Sequence, residues 1–167
     1  LAANMLFIIF GKAIVISQIE QNLKLKANLE RISFSLPLSV SISKLEVGNL
    51  FKADSISLSP SLLGFLAGKI ILNELKIIKP EITLIKDAEG NFNLPVLEVK
   101  GKQPPFLLAG LKVRAGKVIF TDKKLSPEGY KVNVDSIHID IAKIAFPPTS
   151  LYTNFNLSAV LRSADNS

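Results

Sequence analysis

The chain of 167 residues contains no cysteine, no tryptophan and a single histidine. Without cysteine it can form neither a disulfide framework nor a thiolate metal site. With His138 as the one imidazole, a Ser–His–Asp triad has no independent support. The sequence also lacks a phosphate-binding glycine loop and a G-x-S-x-G motif. We therefore predict that the chain is not an enzyme and that it needs no cofactor.

Two short stretches partly match metal-binding patterns. His138 and Asp140 could share one face of a strand, but two ligands are too few for a metal site. The segment "DAEGNFN" (87–93) offers Asp87, Glu89, Asn91 and Asn93, but its glycine and closing glutamate are misplaced for an EF-hand. A polar strand face and a glycine-containing hairpin turn explain these stretches better, so no metal site is predicted.

Charge is scarce and dispersed. Charged residues make up 20% of the chain, and the net charge of +6 comes from dispersed lysines and arginines rather than from basic runs. Nucleic-acid binding typically interleaves basic and aromatic residues, and this chain has two tyrosines and no tryptophan. We predict no nucleic-acid partner, whereas an anionic membrane surface is compatible with the charge.

The chain is rich in alternation with a period of two. In "ISFSLPLSVSIS" (32–43) the even-numbered residues are apolar and the odd-numbered ones are serine, apart from Pro37. This pattern is typical of a strand with one apolar face, and Pro37 indicates an edge or a bend. The apolar parity becomes odd at Leu45 and Val47, which predicts a turn or bulge near Lys44. Similar runs separated by turn signals follow, and they predict an antiparallel β protein.

Residues 1–26 are predicted to be helical. They begin with the apolar stretch "LAANMLFIIFGKAIVIS", which Lys12 interrupts and which falls short of the ~20 apolar residues that span a bilayer. We predict the remnant of a membrane anchor, and the alternative is a buried amphipathic helix that ends near Leu25.

A second, short helix is predicted within "SPSLLGFLAG" (59–68). Ser59 is the predicted N-cap, Pro60 the first helical residue and Gly68 the residue past the end.

A weak internal repeat relates two later segments. "LKIIKPEITLI" begins at Leu75 and "LKVRAGKVIFT" begins at Leu111. Each is predicted to be a strand, a tight turn at Pro80 or Gly116, and a second strand. Such repetition favours an elongated β architecture over a closed barrel. The coinciding pairs are Leu75 with Leu111, Lys76 with Lys112, Ile77 with Val113, Ile82 with Val118, and Leu84 with Phe120.

The segment "IIKPEITLIKDAEGNFNLP" (77–95) resembles the N-terminal region of the AsmA-like superfamily of bacterial envelope proteins, which is related to bridge-like lipid transfer proteins. In that family a strand ending in proline precedes a strand with a basic–acidic–glycine–asparagine end. Residues 45–77 and 104–125 are similar to the family as well, the latter through a glycine and an F-x-D motif. The matching positions are Pro80, Lys86, Asp87, Gly90, Asn93, Gly116, Phe120 and Asp122.

The resemblance implies a mainly β fold. An N-terminal membrane-proximal helix (1–26) precedes a curved, mostly antiparallel extended sheet with an open groove and one short helix (27–167). This region would be the N-terminal part of a longer protein, in the bacterial inner membrane with its β domain in the periplasm. The implied function is a groove for phospholipid transport or outer-membrane biogenesis, with phospholipid or another acyl lipid, the inner membrane and other envelope proteins as partners.

A structural or scaffolding β domain of the envelope is the alternative, because a closed core and a lipid-facing groove require the same alternation. Water-exposed acyl chains are costly, at ~0.8 kcal/mol per methylene or on the order of 13 kcal/mol for an ~16-carbon chain, so a carrier needs an apolar track. Strand alternation predicts such a surface, opposite Ser33, Ser41, Ser57 and Thr83. The candidate lipid-binding residues are Phe34, Val40, Ile42, Ile56, Leu58, Ile82, Leu84, Val118 and Phe120.

Overall fold

A computed structural model describes residues 2–35, 39–96, 105–126, 128–146 and 153–163. These residues form two helices and nine strands. The helices are α1 (Ala2–Leu23) and α2 (Leu62–Leu66). The strands are β1 (Ala27–Asn28), β2 (Arg31–Ser35), β3 (Ser39–Val47), β4 (Phe51–Pro60), β5 (Ile70–Ile78), β6 (Glu81–Lys86), β7 (Phe106–Asp122), β8 (Tyr130–Phe146) and β9 (Asn154–Ser163).

All nine strands belong to one mixed sheet with the order β1–β3–β4–β5–β7–β8–β9. Strand β2 lies beside β3, and β6 lies between β4 and β7. The pairings of β7 with β5 and with β6 are parallel, and the other pairings between the described strands are antiparallel. The predicted fold class, mainly β with an N-terminal helix and one short helix, is confirmed. The open groove stays a prediction.

The two segments of the internal repeat are direct neighbours in the sheet. Strands β5 and β6 lie end to end against the single long strand β7, and each pair of coinciding residues is a register pair, from Leu75 with Leu111 to Leu84 with Phe120. The tight turn predicted at Pro80 is wrong, because β5 and β6 run in the same direction along β7 and only Lys79 and Pro80 separate them. The turn predicted at Gly116 is wrong, because β7 continues through that residue for 17 residues in all. The repeat therefore describes two segments that pair side by side in parallel, β5 and β6 in one and β7 in the other, rather than two hairpins.

A row of left-handed residues crosses the sheet where the apolar parity changes. Lys44 has φ 49° within the continuous strand β3, which confirms the predicted irregularity there. Residues at the same level are left-handed in β7 (Ala115, φ 52°), in β8 (Ser136, φ 53°) and between β5 and β6 (Lys79, φ 47°), whereas β4 passes this level without one. After a left-handed residue, the odd- and even-numbered side chains of the strand swap sides of the sheet. Because the apolar residues change from even to odd numbers at the same place, the apolar side chains stay on one side.

Helix α1 covers one part of this apolar face. Its residues Val15, Ile16, Ile19 and Leu23 pack on a buried cluster of Leu29, Ile32, Leu45 and Val47. Even-numbered Ile42 and odd-numbered Phe51 both pack against the same cluster, which shows that the face is preserved across Lys44. The helix ends where Lys24 adopts φ 57°, close to the predicted Leu25. Among the described residues, no helix combines the length and apolar character that crossing a membrane requires.

Helix α2 begins later than predicted. Ser59 and Pro60 belong to β4, and the N-cap is Ser61, whose Oγ accepts a hydrogen bond from the Gly64 N–H at 3.1 Å. Sheet pairing of Pro60 with Leu72 takes precedence over its preference for a first helical turn. The predicted end is confirmed, because Gly68 has φ 66°. The bend or edge predicted at Pro37 lies outside the described residues.

Candidate functional site

The apolar face is built from rows of side chains that run across the strands. Neighbouring register partners point to the same side of a sheet, so the pairing assigns every residue of a row to one face. The first row is Ile32–Ile42–Ile56–Ile77–Val113–Ile139–Leu157 and the second is Phe34–Val40–Leu58–Leu75–Leu111–Ile141–Phe155. Beyond the left-handed row follow Val47–Phe51–Ile82–Val118–Val134–Leu161 and Leu84–Phe120–Val132.

All nine candidate residues lie in these rows. Each is half-buried, and none is enclosed to the degree of the cluster beneath α1. Four of them pack against that cluster: Phe34, Val40, Ile42 and Ile56. The other five lie on β4, β6 and β7, farther from the helix: Leu58, Ile82, Leu84, Val118 and Phe120.

The rows extend past the candidates to the far side of the sheet. The prediction did not include the apolar residues of β5 and β8 or the final strand, although they alternate with the same period. On β9, at the edge of the described sheet, Phe155 is 62% exposed, Leu157 52% and Leu161 71%. The face thus changes from buried beneath α1 to open at β9.

The opposite face explains the serines. Ser33, Ser41 and Ser57 are consecutive register partners across β2, β3 and β4, and the hydroxyls of Ser41 and Ser57 are 3.2 Å apart. Further rows join Ser43 with Ser55, and Ser35 with Ser39. Lysine at these positions would place like charges directly opposite one another, which destabilises a sheet. Serine keeps the face polar without that repulsion.

Further along, the polar face carries charged residues, among them the register partners Lys76 and Lys112, and acidic side chains pair with several of the basic ones. Lys112 pairs with Glu74, and Arg114 donates to the Asp140 carboxylate at 2.6 Å. The hydrogen bond from Arg114 lowers the pKa of Asp140. His138 shares this face with Asp140, as predicted, but Asp140 is held by Arg114. A depression of about 480 Å³ lies beside these residues above Gly110 and Ala142. The charged side chains that line this depression already form ion pairs, Glu74 with Lys112 and Asp140 with Arg114.

The Asp122 carboxylate of the F-x-D motif closes the end of β7. It is buried, accepts hydrogen bonds from the backbone N–H groups of Lys124 (2.8 Å) and Leu125 (3.3 Å), and pairs with the Lys86 ammonium at 3.3 Å. Burial raises the pKa of Asp122, but the hydrogen bonds from Lys124, Lys86 and Leu125 outweigh it, so the pKa lies below the ordinary 3.8. The Asp122 carboxylate of the motif therefore stabilises the pairing of β7 with β6, which carries Lys86.

The segment 87–93 is a hairpin turn, as predicted. The Asp87 N–H donates to the Asn91 carbonyl at 2.9 Å, and Gly90 has φ 96°. The Asp87 carboxylate accepts the Asn91 N–H at 2.8 Å, which lowers the pKa of Asp87. After the turn, Asn93 completes the edge of β6: its Oδ1 accepts the Ile85 N–H and its Nδ2 donates to the Thr83 carbonyl. Across the described residues, no group of three or more His, Cys, Asp or Glu residues is placed to hold a metal ion.

Comparison of the chain with protein-family models, with curated proteins and with solved structures found no match.

Proposed function

We propose that this chain is a membrane-anchored β module of the bacterial envelope whose apolar face carries phospholipid or another acyl lipid through the periplasm. The observation that supports the proposal is the register. It aligns apolar side chains across seven strands, a width of about 29 Å at ~4.8 Å per strand spacing, and exposes them toward β9. The resemblance to the AsmA-like superfamily supports the same function.

The face has the chemistry that an acyl chain requires. Hydrocarbon gains about 0.8 kcal/mol per buried methylene, and the rows offer only aliphatic and phenyl side chains. Catalysis has no part in the proposed function, because carriage requires only that lipid leaves water. The packing beneath α1 supports the alternative for one part of the sheet, since Leu29 and Ile32 are a closed core there.

Site-specific photo-crosslinking in the full chain tests the proposal. A photo-reactive residue at Ile82 or Phe120 should capture phospholipid when the protein is expressed in a bacterial envelope. The same residue at Thr83 or Ser57 should not, because register places these positions on the polar face. Equal capture at both sets, or capture at neither, would contradict lipid carriage.

A matched pair of charges separates the proposal from the structural alternative. Ile82→Asp and Thr83→Asp change neighbouring half-buried residues on opposite faces. On an open lipid-facing surface, Ile82→Asp should abolish lipid capture at Phe120 while the circular dichroism stays that of a β protein. The carboxylate would make the binding of an acyl chain less favourable by roughly 2–3 kcal/mol, the cost of a charge in a membrane interior. In a closed core the same variant should unfold and Thr83→Asp should fold, because an unpaired buried charge is not tolerated.

A further inference from the structure

One end of the sheet carries exposed leucines that the rows of the apolar face do not include. Helix α2 and the first residue of β5 leave Leu63 79% exposed, Leu66 74% exposed, and Leu62 and Ile70 about half exposed. Ser39, Ser59 and Leu63 line one depression, which places α2 at the end of the sheet where β3 begins and β4 ends. We name this region, formed by residues 61–70, the leucine tip.

The first half of α1 extends toward the same end. Gly11 lies against the Phe34 ring, whereas Leu25, just after the helix, contacts Gly48 at the opposite end of the sheet. The helix therefore runs along β2 and β3 with its start toward the leucine tip. Residues 2–10 continue about 14 Å beyond Gly11 at ~1.5 Å per residue, and their sequence is "AANMLFIIF". Two apolar elements, distant in sequence, thus reach one end of the molecule.

The distribution of charge distinguishes this end from the other. Residues 55–73, 105–111 and 141–146 meet there, and they contain no Asp or Glu but include Lys69 and Lys143. The nearest carboxylates along the strands are Glu74 and Asp140, and each is paired with a basic side chain. The opposite end holds Glu46, Glu81, Asp87 and Asp122. Among the described residues, this end is thus an apolar surface without carboxylates and is flanked by lysine, which matches the interfacial region of an anionic bilayer.

We propose that the leucine tip inserts into the headgroup region of a phospholipid bilayer. This contact would hold the strand ends against the membrane surface, beside the first half of α1. The inference rests on the proposed membrane setting and requires no lipid carriage by the sheet.

The absence of cysteine makes a direct test possible, because a single introduced thiol is the only one in the chain. The variants Leu63→Cys and Leu66→Cys are labelled with an environment-sensitive dye in the full chain. Leu125→Cys is the matched control, because Leu125 is 73% exposed but follows β7 at the opposite end of the sheet. Vesicles of phosphatidylcholine with phosphatidylglycerol are then added, or vesicles of phosphatidylcholine alone.

Dye at residues 63 and 66 should shift its emission to the blue with the anionic vesicles and should be quenched by spin-labelled lipid. Dye at residue 125 should do neither. Leu63→Asp combined with Leu66→Asp should weaken vesicle binding about tenfold or more, because two leucines no longer enter the bilayer. Leu125→Asp should leave the binding unchanged.

Equal signals at residues 63 and 125 would overturn the inference. So would a blue shift that depends on protein concentration and not on vesicles, since that identifies a second copy of the chain as the occupant. Lipid capture at Ile82 without insertion at Leu63 would refute the leucine tip alone. Insertion at Leu63 without capture at Ile82 would refute lipid carriage alone.

Discussion

Replacing Ala115 by glycine should stabilise the protein, because Ala115 lies in the left-handed row within β7. An L-residue in this conformation costs roughly 1–2 kcal/mol relative to the right-handed one. Glycine removes that cost but loses about 0.5–1 kcal/mol through the greater freedom of the unfolded chain. The balance predicts a gain on the order of 0.5–1 kcal/mol in the free energy of unfolding for Ala115→Gly.

The same strand supplies the control. Ala109 is also exposed, but its φ is not positive, so Ala109→Gly should lose about 0.5–1 kcal/mol. A third variant, Ala115→Val, places a β-branched residue in the left-handed region and should lose at least about 1 kcal/mol.

Urea unfolding followed by far-UV circular dichroism measures these differences, with the slope of the transition as a check that the unfolded state is unchanged. In thermal unfolding, each kcal/mol corresponds to about 2–4 °C for a chain of this size. If Ala115→Gly and Ala109→Gly lose equal stability, Ala115 is not left-handed in the folded protein. The continuity of the apolar face across it would then lose its explanation.

Two further predictions concern the polar face and the Asp122 carboxylate at the end of β7. Ser41 and Ser57 are register partners, so two lysines there would repel each other. The double variant Ser41→Lys, Ser57→Lys should be less stable than Ser41→Asp, Ser57→Lys by about 0.5–1 kcal/mol at low salt. Added salt should reduce the difference between their urea midpoints. The pKa of Asp122 lies below the ordinary 3.8, so its contribution to stability is present above about pH 4–5 and is lost as the pH falls through the folded-state pKa. Asp122→Asn should therefore show a smaller fall in unfolding midpoint between about pH 6 and pH 3 than the parent chain, and an equal fall would show that Asp122 does not titrate with folding.

Much of the sheet could be predicted from the sequence, because apolar and polar residues that alternate with a period of two lie on opposite faces of a strand. Alternation at residues 32–43 places serines on one face, and the loss of that parity at Leu45 requires an irregularity near Lys44. Both features depend on neighbours along the chain, although residues 32–35 belong to β2 and residues 39–43 to its partner strand β3. The N-cap of α2, Ser61, lies two residues beyond the predicted Ser59, because the pairing of Pro60 with Leu72 is a contact between strands that local helix signals do not contain.

The parallel pairing of β7 with β5 and β6 illustrates what a repeat can and cannot reveal. Leu75 and Leu111 are register partners, at the same level of two neighbouring parallel strands. The sequence shows this equivalence but not whether the copies are successive hairpins or lateral partners. In the first copy Pro80 interrupts the strand, which gives β5 and β6. In the second copy the strand continues through the left-handed Ala115 and Gly116, which gives the single strand β7.

The choice between lipid carriage and a structural core depends on a property that alternation does not determine, namely what covers each row. The rows are chemically uniform from β2 to β9, yet Ile32 is 2% exposed beneath α1 and Leu157, in the same row, is 52% exposed. A scaffolding function needs a protein element that covers the apolar side chains toward β9, whereas lipid carriage needs that side to receive hydrocarbon. The burial of a row changes along its length, whereas its sequence pattern does not. Photo-crosslinking residues at Ile82 and Phe120 lie between the covered and the open parts, so they best distinguish lipid from a protein element as the group that covers the face.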